Sequence, residues 1–190
     1  MPGIMYRVLC ALALSSALYA TDVAAQGAAA DFRQPGGLQD GSPQKRARLI
    51  TAWVGFPYLY YGWGGVGFPF GFGASYFHPL VEQGFVPELN DSFNLEAGAN
   101  IAFAYGGGFS SWLSLPVTVS WMLHFTRDFA GLVKLGAALN FGFGYWAGQR
   151  GWFSAFPVGG IGVMVRLSPS LMLRVEAGYP WLSVGLGFAL

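Results

Sequence analysis

Six ionisable side chains fall on the small-residue or polar face of strand-like runs: Glu96, His124, Lys134, Arg166, Arg174 and Glu176. Brought together, such groups either neutralise one another as a static polar plug or rearrange as an ion-pair gate beside a narrow water path. Arg174 and Glu176 stand two apart, so an extended strand puts them on one face. A tight turn at Ser168-Pro169-Ser170 is expected to bring Arg166 near them. Hydrolysis would need a nucleophile beside a histidine that a third group orients. Along its strand, His124 has Ser120 four residues away on the same face, roughly 13 Å and beyond a hydrogen bond. His78 precedes Pro79 with no serine close in sequence. No paired site is legible along any one run, and an enzyme is not expected.

Other chemistries are bounded by residue type. Two isolated histidines do not make a metal site. The single Cys10 lies in the leader described below, so disulfide, thiol and zinc–thiolate chemistry is not expected of the mature chain. The stretches GWGGVGFPFGFG and GGG are followed by no lysine and open no helix, so they do not read as phosphate loops. No cofactor is expected. A net charge of +1 gives no electrostatic case for nucleic acid.

Residues 1–25 read as a secretory signal peptide: Arg7 precedes the apolar run VLCALALSSALYA, and small residues precede a cut after Ala25. Residues 26–47, rich in Ala, Gly, Pro and Gln without periodicity, read as a flexible periplasmic linker, disordered unless a partner orders it. Residues 48–190 form the folded part. Charged residues are only 10% of the chain and aromatics 17%, too few charges to cover a water-soluble surface.

What positions the ionisable groups is a series of extended runs. The clearest is Ser111–Phe125, SWLSLPVTVSWMLHF: large apolar residues take the odd positions, small or polar ones mostly the even. Eight such runs are expected, near 48–57, 64–77, 92–105, 111–125, 129–146, 152–167, 171–179 and 181–190. In each of those read by parity, large apolar side chains face one way and small or polar ones the other. This is the pattern of a barrel in lipid, inverted from a soluble core. Segments 49–77 and 97–123 lack charge and exceed the ~20 residues a membrane helix needs. Their period of two, their prolines, and the charges Lys134, Arg174 and Glu176 in later runs count against helices. The expected fold is all-β: an eight-stranded antiparallel up-and-down transmembrane β-barrel.

With both ends in the periplasm, Tyr58, Tyr60, Trp63, Tyr105, Trp112, Tyr145, Trp152, Tyr179 and Trp181 fall at strand ends on the outer side. Amphipathic rings at that level form a girdle in the head-group layer. The periplasmic end is marked by Phe77, Phe93, Phe125, Phe129 and Phe188. The longest link, 78–91, falls on the periplasmic side, where outer-membrane barrels usually have short turns. Either the barrel is bare outside and faces inward, or the orientation is reversed; a strand ending at Leu190 favours the first.

The last run, WLSVGLGFAL, resembles the C-terminal signal of bacterial outer-membrane barrel proteins, with Ser183, Gly185, Phe188 and a terminal Leu190 where an aromatic is commoner. Across 48–190 the chain is similar in pattern to the small barrels of the OmpX or OmpA-transmembrane class. The resemblance implies insertion into the bacterial outer membrane by its assembly machinery, with the last strand as the recognition element. The function expected is a small outer-membrane barrel with a narrow or plugged lumen and a structural role in the envelope. The alternative is a small pore, or a membrane-embedded component of an envelope complex that a periplasmic partner contacts through 78–91 and the linker.

Overall fold

The alternation predicts strands that bury one face and expose the other, and the computed structural model places eight of them. It describes residues 32–42, 44–57, 69–105, 109–144 and 152–190. The strands are β1 (Leu49–Pro57), β2 (Phe70–Val81), β3 (Asp91–Tyr105), β4 (Phe109–His124), β5 (Phe129–Gly144), β6 (Trp152–Ser168), β7 (Leu171–Tyr179) and β8 (Trp181–Ala189). Each pairs antiparallel with the next. β1 closes on β8 from Leu49↔Ala189 to Pro57↔Trp181, giving a closed up-and-down barrel. Residues 1–31, which include the stretch read as a leader, lie outside the described residues.

Parity holds around the wall. Val117, Val119, Val133, Leu135, Ile161, Val184 and Leu186 face outward and are exposed, while Thr51, Ser75, Asn94, Glu96, Ser120 and Asn140 are buried inside. A wall that shows valine and leucine outside and hides asparagine and glutamate inside is stable only where lipid bathes the exterior. The chain is a transmembrane β-barrel.

Both strand termini, Leu49 and Ala189, lie at one end, termed here the terminal end. The turn at 125–128 closes there on Thr126, whose backbone N–H donates to Phe129 and whose hydroxyl accepts from Asp128 and Phe129. β2 does not stop at Phe77 as expected but runs through Pro79 to Val81, so the link shortens to residues 82–90. Pro79 is tolerated because the register shifts between Pro79 and Val81, a bulge at which no ladder N–H is required. Phe77 belongs to the inward set, buried at 3% exposure, and does not mark the outer wall at this end.

Among the described residues of the segment read as a flexible linker, Leu38, Gly41 and Arg46 hydrogen-bond to the barrel. Leu38 donates to the carbonyl of Phe125 (3.3 Å) and accepts from the N–H of Asn90 (2.7 Å), and Gln83 donates to the carbonyl of Gly41 (2.7 Å). Arg46 donates to the carbonyl of Glu82 (3.3 Å) and to the side chain of Asn90. Within the segment the Asp40 carboxylate accepts from the N–H of Gly36 (2.6 Å), from the N–H and hydroxyl of Ser42, and from Gln44.

Those bonds, the Ser42 hydroxyl foremost and then the Gly36 N–H, hold the Asp40 carboxyl below its ordinary 3.8. A carboxyl depressed on folding supports the fold above its unfolded pKa, and that support is lost as pH falls through the lower folded value. Amide protection at Gly36 and Ser42, each rate taken relative to the intrinsic rate at that pH, is therefore expected to fall as pH drops below the ordinary carboxyl range, and to be lost already at neutral pH in Asp40→Ala. Equal protection in variant and parent would contradict the role given to Asp40.

Candidate functional site

The inward faces of the eight strands line the lumen. At its middle lie four charges from three strands. Glu96 on β3 accepts from Arg174 on β7 at 2.6 Å and from the hydroxyl of Ser75 on β2 at 2.5 Å. Arg174 also pairs with Glu176, which pairs in turn with Lys134 on β5. Ser75 and Thr51 share a hydrogen bond of 2.6 Å, extending the network to β1. Two acids and two bases sum to zero formal charge, and Arg174 is only 5% exposed. Arg174 further lies over the ring of Phe77 at 5.7 Å, a cation–π contact.

Register explains why these four meet. Met164 pairs with Arg174 and Gly162 with Glu176 across β6 and β7. A Cβ at Gly162 would lie 2.8 Å from Cγ of Glu176, so glycine there makes room for the carboxylate. The same register removes Arg166 from the cluster. It pairs with Met172, two residues nearer the terminal end, and its ionic neighbour is Asp128 at 4.0 Å. His124 is likewise outside the quartet. Its Nε2 lies 3.3 Å from Oγ of Ser92 on β3, a serine that the reading along one strand missed because it stands on the neighbouring strand. Asn94 also donates to that hydroxyl at 3.3 Å. Among the described residues no carboxylate bonds to His124.

Toward the far end, tryptophans enter the lumen. Trp53 on β1 and Trp181 on β8 meet edge to face at 5.0 Å, and Trp112 on β4 approaches Trp181 at 6.4 Å. Trp181 and Trp112, expected in the girdle, thus lie against a ring inside the barrel. Trp181 shares parity with Ser183 and Gly185, and Trp112 with Ser114 and Thr118. Trp53 was missed, although it alternates with Thr51 and Gly55. Space comes from glycine: a Cβ at Gly73 would lie 2.7 Å from the Trp53 ring, and one at Gly71 2.6 Å from the Trp181 ring. Between the tryptophans and the ion quartet remains a cavity of about 40 Å³.

Of the other girdle residues, Tyr179 faces outward, edge to face with Phe156 at 5.7 Å. Tyr105 ends β3 and Trp152 begins β6. Tyr58, Tyr60, Trp63 and Tyr145 lie outside the described residues. At the terminal end an aromatic cluster does face outward: Phe85 on Phe93 at 4.5 Å and Phe93 on Trp121 at 6.1 Å. The Trp121 indole donates to the buried Asp91 at 2.7 Å. Of the assembly-signal residues, Ser183 and Gly185 face the lumen, while Phe188 and Leu190 are exposed.

On this geometry the protein is a transmembrane β-barrel whose inner face carries a neutral ion quartet and a tryptophan cluster. No protein-family model and no curated protein sequence matches the chain. Among solved structures it is similar to a de novo designed transmembrane β-barrel, at 18% identity and TM-score 0.44, covering 78% of this chain and all of that one. It is similar also to Ail, the attachment invasion locus protein of Yersinia pestis, at 13% identity and TM-score 0.46, covering 76% and 97%. Neisserial surface protein A gives 12% identity and TM-score 0.45, covering 76% and 96%.

Removing one member of a buried ion network leaves its partners uncompensated, at about 3–5 kcal/mol. Glu176→Ala strips a carboxylate from both Arg174 and Lys134 and is expected to lose that much in urea unfolding from micelles. Glu176→Gln, which keeps the shape and loses the charge, is expected to lose most of the same amount. Wild-type stability in both variants would show that the quartet is not a structural unit.

Proposed function

We propose that the chain is a bacterial outer-membrane barrel with a closed lumen and a structural role in the envelope. The observation that carries this reading is that two obstructions lie in series along the inner face: the ion quartet around Arg174, then Trp53 and Trp181. An ion quartet that is neutral offers no net field to draw an ion in, and indoles packed edge to face offer no donor ladder for water. An apolar exterior and a polar, filled interior are what a bilayer-spanning barrel of this size requires.

The leader 1–25 supports export, and the terminal strand with Ser183, Gly185, Phe188 and Leu190 supports recognition by the outer-membrane assembly machinery. The terminal end then faces the periplasm. Contact with an envelope partner is the second reading. It is favoured by Phe85, 75% exposed on the 82–90 link, beside a docked segment 33–47. A pull-down with and without residues 26–47 separates the two.

Planar-bilayer recording tests the closed lumen. Wild-type protein is expected to give no resolved steps, and Trp53→Ala with Trp181→Ala to give small, noisy ones. Stable unitary steps from the wild type would replace the structural reading with the pore.

A further inference from the structure

The quartet and the tryptophans leave one roomy space unaccounted for: a cavity of about 200 Å³ at the terminal end of the lumen. Its floor is apolar and buried, made by Leu49, Phe77, Met122, Ala130 and Met164 with Met172 packed against them. Its rim is cationic. Among the described residues, Lys45, Arg46, Arg127 and Arg166 line it with one carboxylate, Asp128. Lys45 and Arg127 are exposed, so the cavity opens to water on the side where its charge lies.

Three features of this space point to a ligand. The Nε of Arg166 is buried without a hydrogen-bond partner, and Asp128 at 4.0 Å is too far to supply one. Arg46 is held over the opening by Asn90 and the Glu82 carbonyl, not by a carboxylate. Finally, the sequence has five methionines, and all three beyond the leader line this cavity. Methionine is unbranched and polarizable, and it fits an apolar surface to guests of varied shape.

We propose that this mouth binds a small anionic amphiphile, its short alkyl group on the methionine floor and its anionic head against the arginine–lysine rim. Size limits the guest: a cavity of roughly 150 Å³ takes a benzene-sized group, so this one admits a chain of about six carbons and not a whole lipid tail. Charge limits it too: even with Asp128 on the rim and Glu82 and Asp91 acting on Arg46, the four lining cations favour a negatively charged head. Ser92, Asn94 and His124, which also line the cavity, supply hydrogen-bonding groups between floor and rim.

The test uses the mature chain in phosphatidylcholine nanodiscs with carbon-13 methyl-labelled methionine, so that every labelled methyl sits in the cavity. Hexyl phosphate is expected to shift the Met122, Met164 and Met172 methyls saturably. Hexanol and inorganic phosphate should each bind about tenfold more weakly or less, the loss of roughly one charge-assisted contact or of the apolar one. Arg127→Gln and Lys45→Gln, both on exposed positions that leave the fold intact, should weaken hexyl phosphate and leave hexanol unchanged. Several results would overturn the proposal: unmoved methyls, equal shifts by hexanol, equal shifts by inorganic phosphate, or hexyl phosphate binding that ignores both substitutions. So would methyl shifts on changing the discs to phosphatidylglycerol with no hexyl phosphate present, which would assign the site to bilayer head groups.

Discussion

Inside hydrocarbon a backbone N–H has no water to turn to, so a sheet that crosses a membrane must leave no edge there. Pairing of β1 with β8 meets that demand, joining residues 49–57 to 181–189 without a break. The rest follows from it. Once the sheet closes at eight strands, the side chains that point inward share one enclosed space, where a charge left alone is costly.

The chain meets this condition by matching acids to bases from different strands and large rings to glycine. Arg174 pairs with Glu96 on β3 and with Glu176 on its own strand, and Lys134 on β5 balances the second carboxylate. Trp53 and Trp181 occupy space that Gly73 and Gly71 leave open. Glycine in the strands of this barrel therefore serves the volume of a neighbour more than the freedom of its own backbone. Neutral charge and shared volume make the interior one interlocked unit, and its members lie far apart in sequence.

What could be read from the chain, and what could not, divides along that line. The number of strands, their approximate borders and the face that meets lipid are local properties, visible in alternations such as Leu113 to Phe125. Which inward residues touch depends on register between strands, and a two-residue offset separates Arg166 from the cluster that holds Arg174. Ser92 beside His124 is a contact of the same kind. The tryptophans raise a different point: position at a strand end suggests a girdle, whereas the parity of Trp112 with Ser114 and of Trp181 with Ser183 points inward. Leu38 and Gly41, in a stretch without periodicity, hydrogen-bond to the 82–90 link and the Phe125 carbonyl, partners that no local pattern announces.

The strands are unequal, with 17 residues in β6 against nine in each of β7 and β8. At about 3.3 Å per residue, the two sides of the wall differ by roughly 25 Å along the strand direction. Yet the lipid face of β6 stays apolar to its far end, where Phe153 is exposed. An upright barrel would lift that end into water or press the leaflet thin beside β7 and β8. Leaning toward the longer side relieves both at small cost, so the axis should sit oblique to the membrane normal, a slant that solid-state NMR of aligned bilayers would read as an angle.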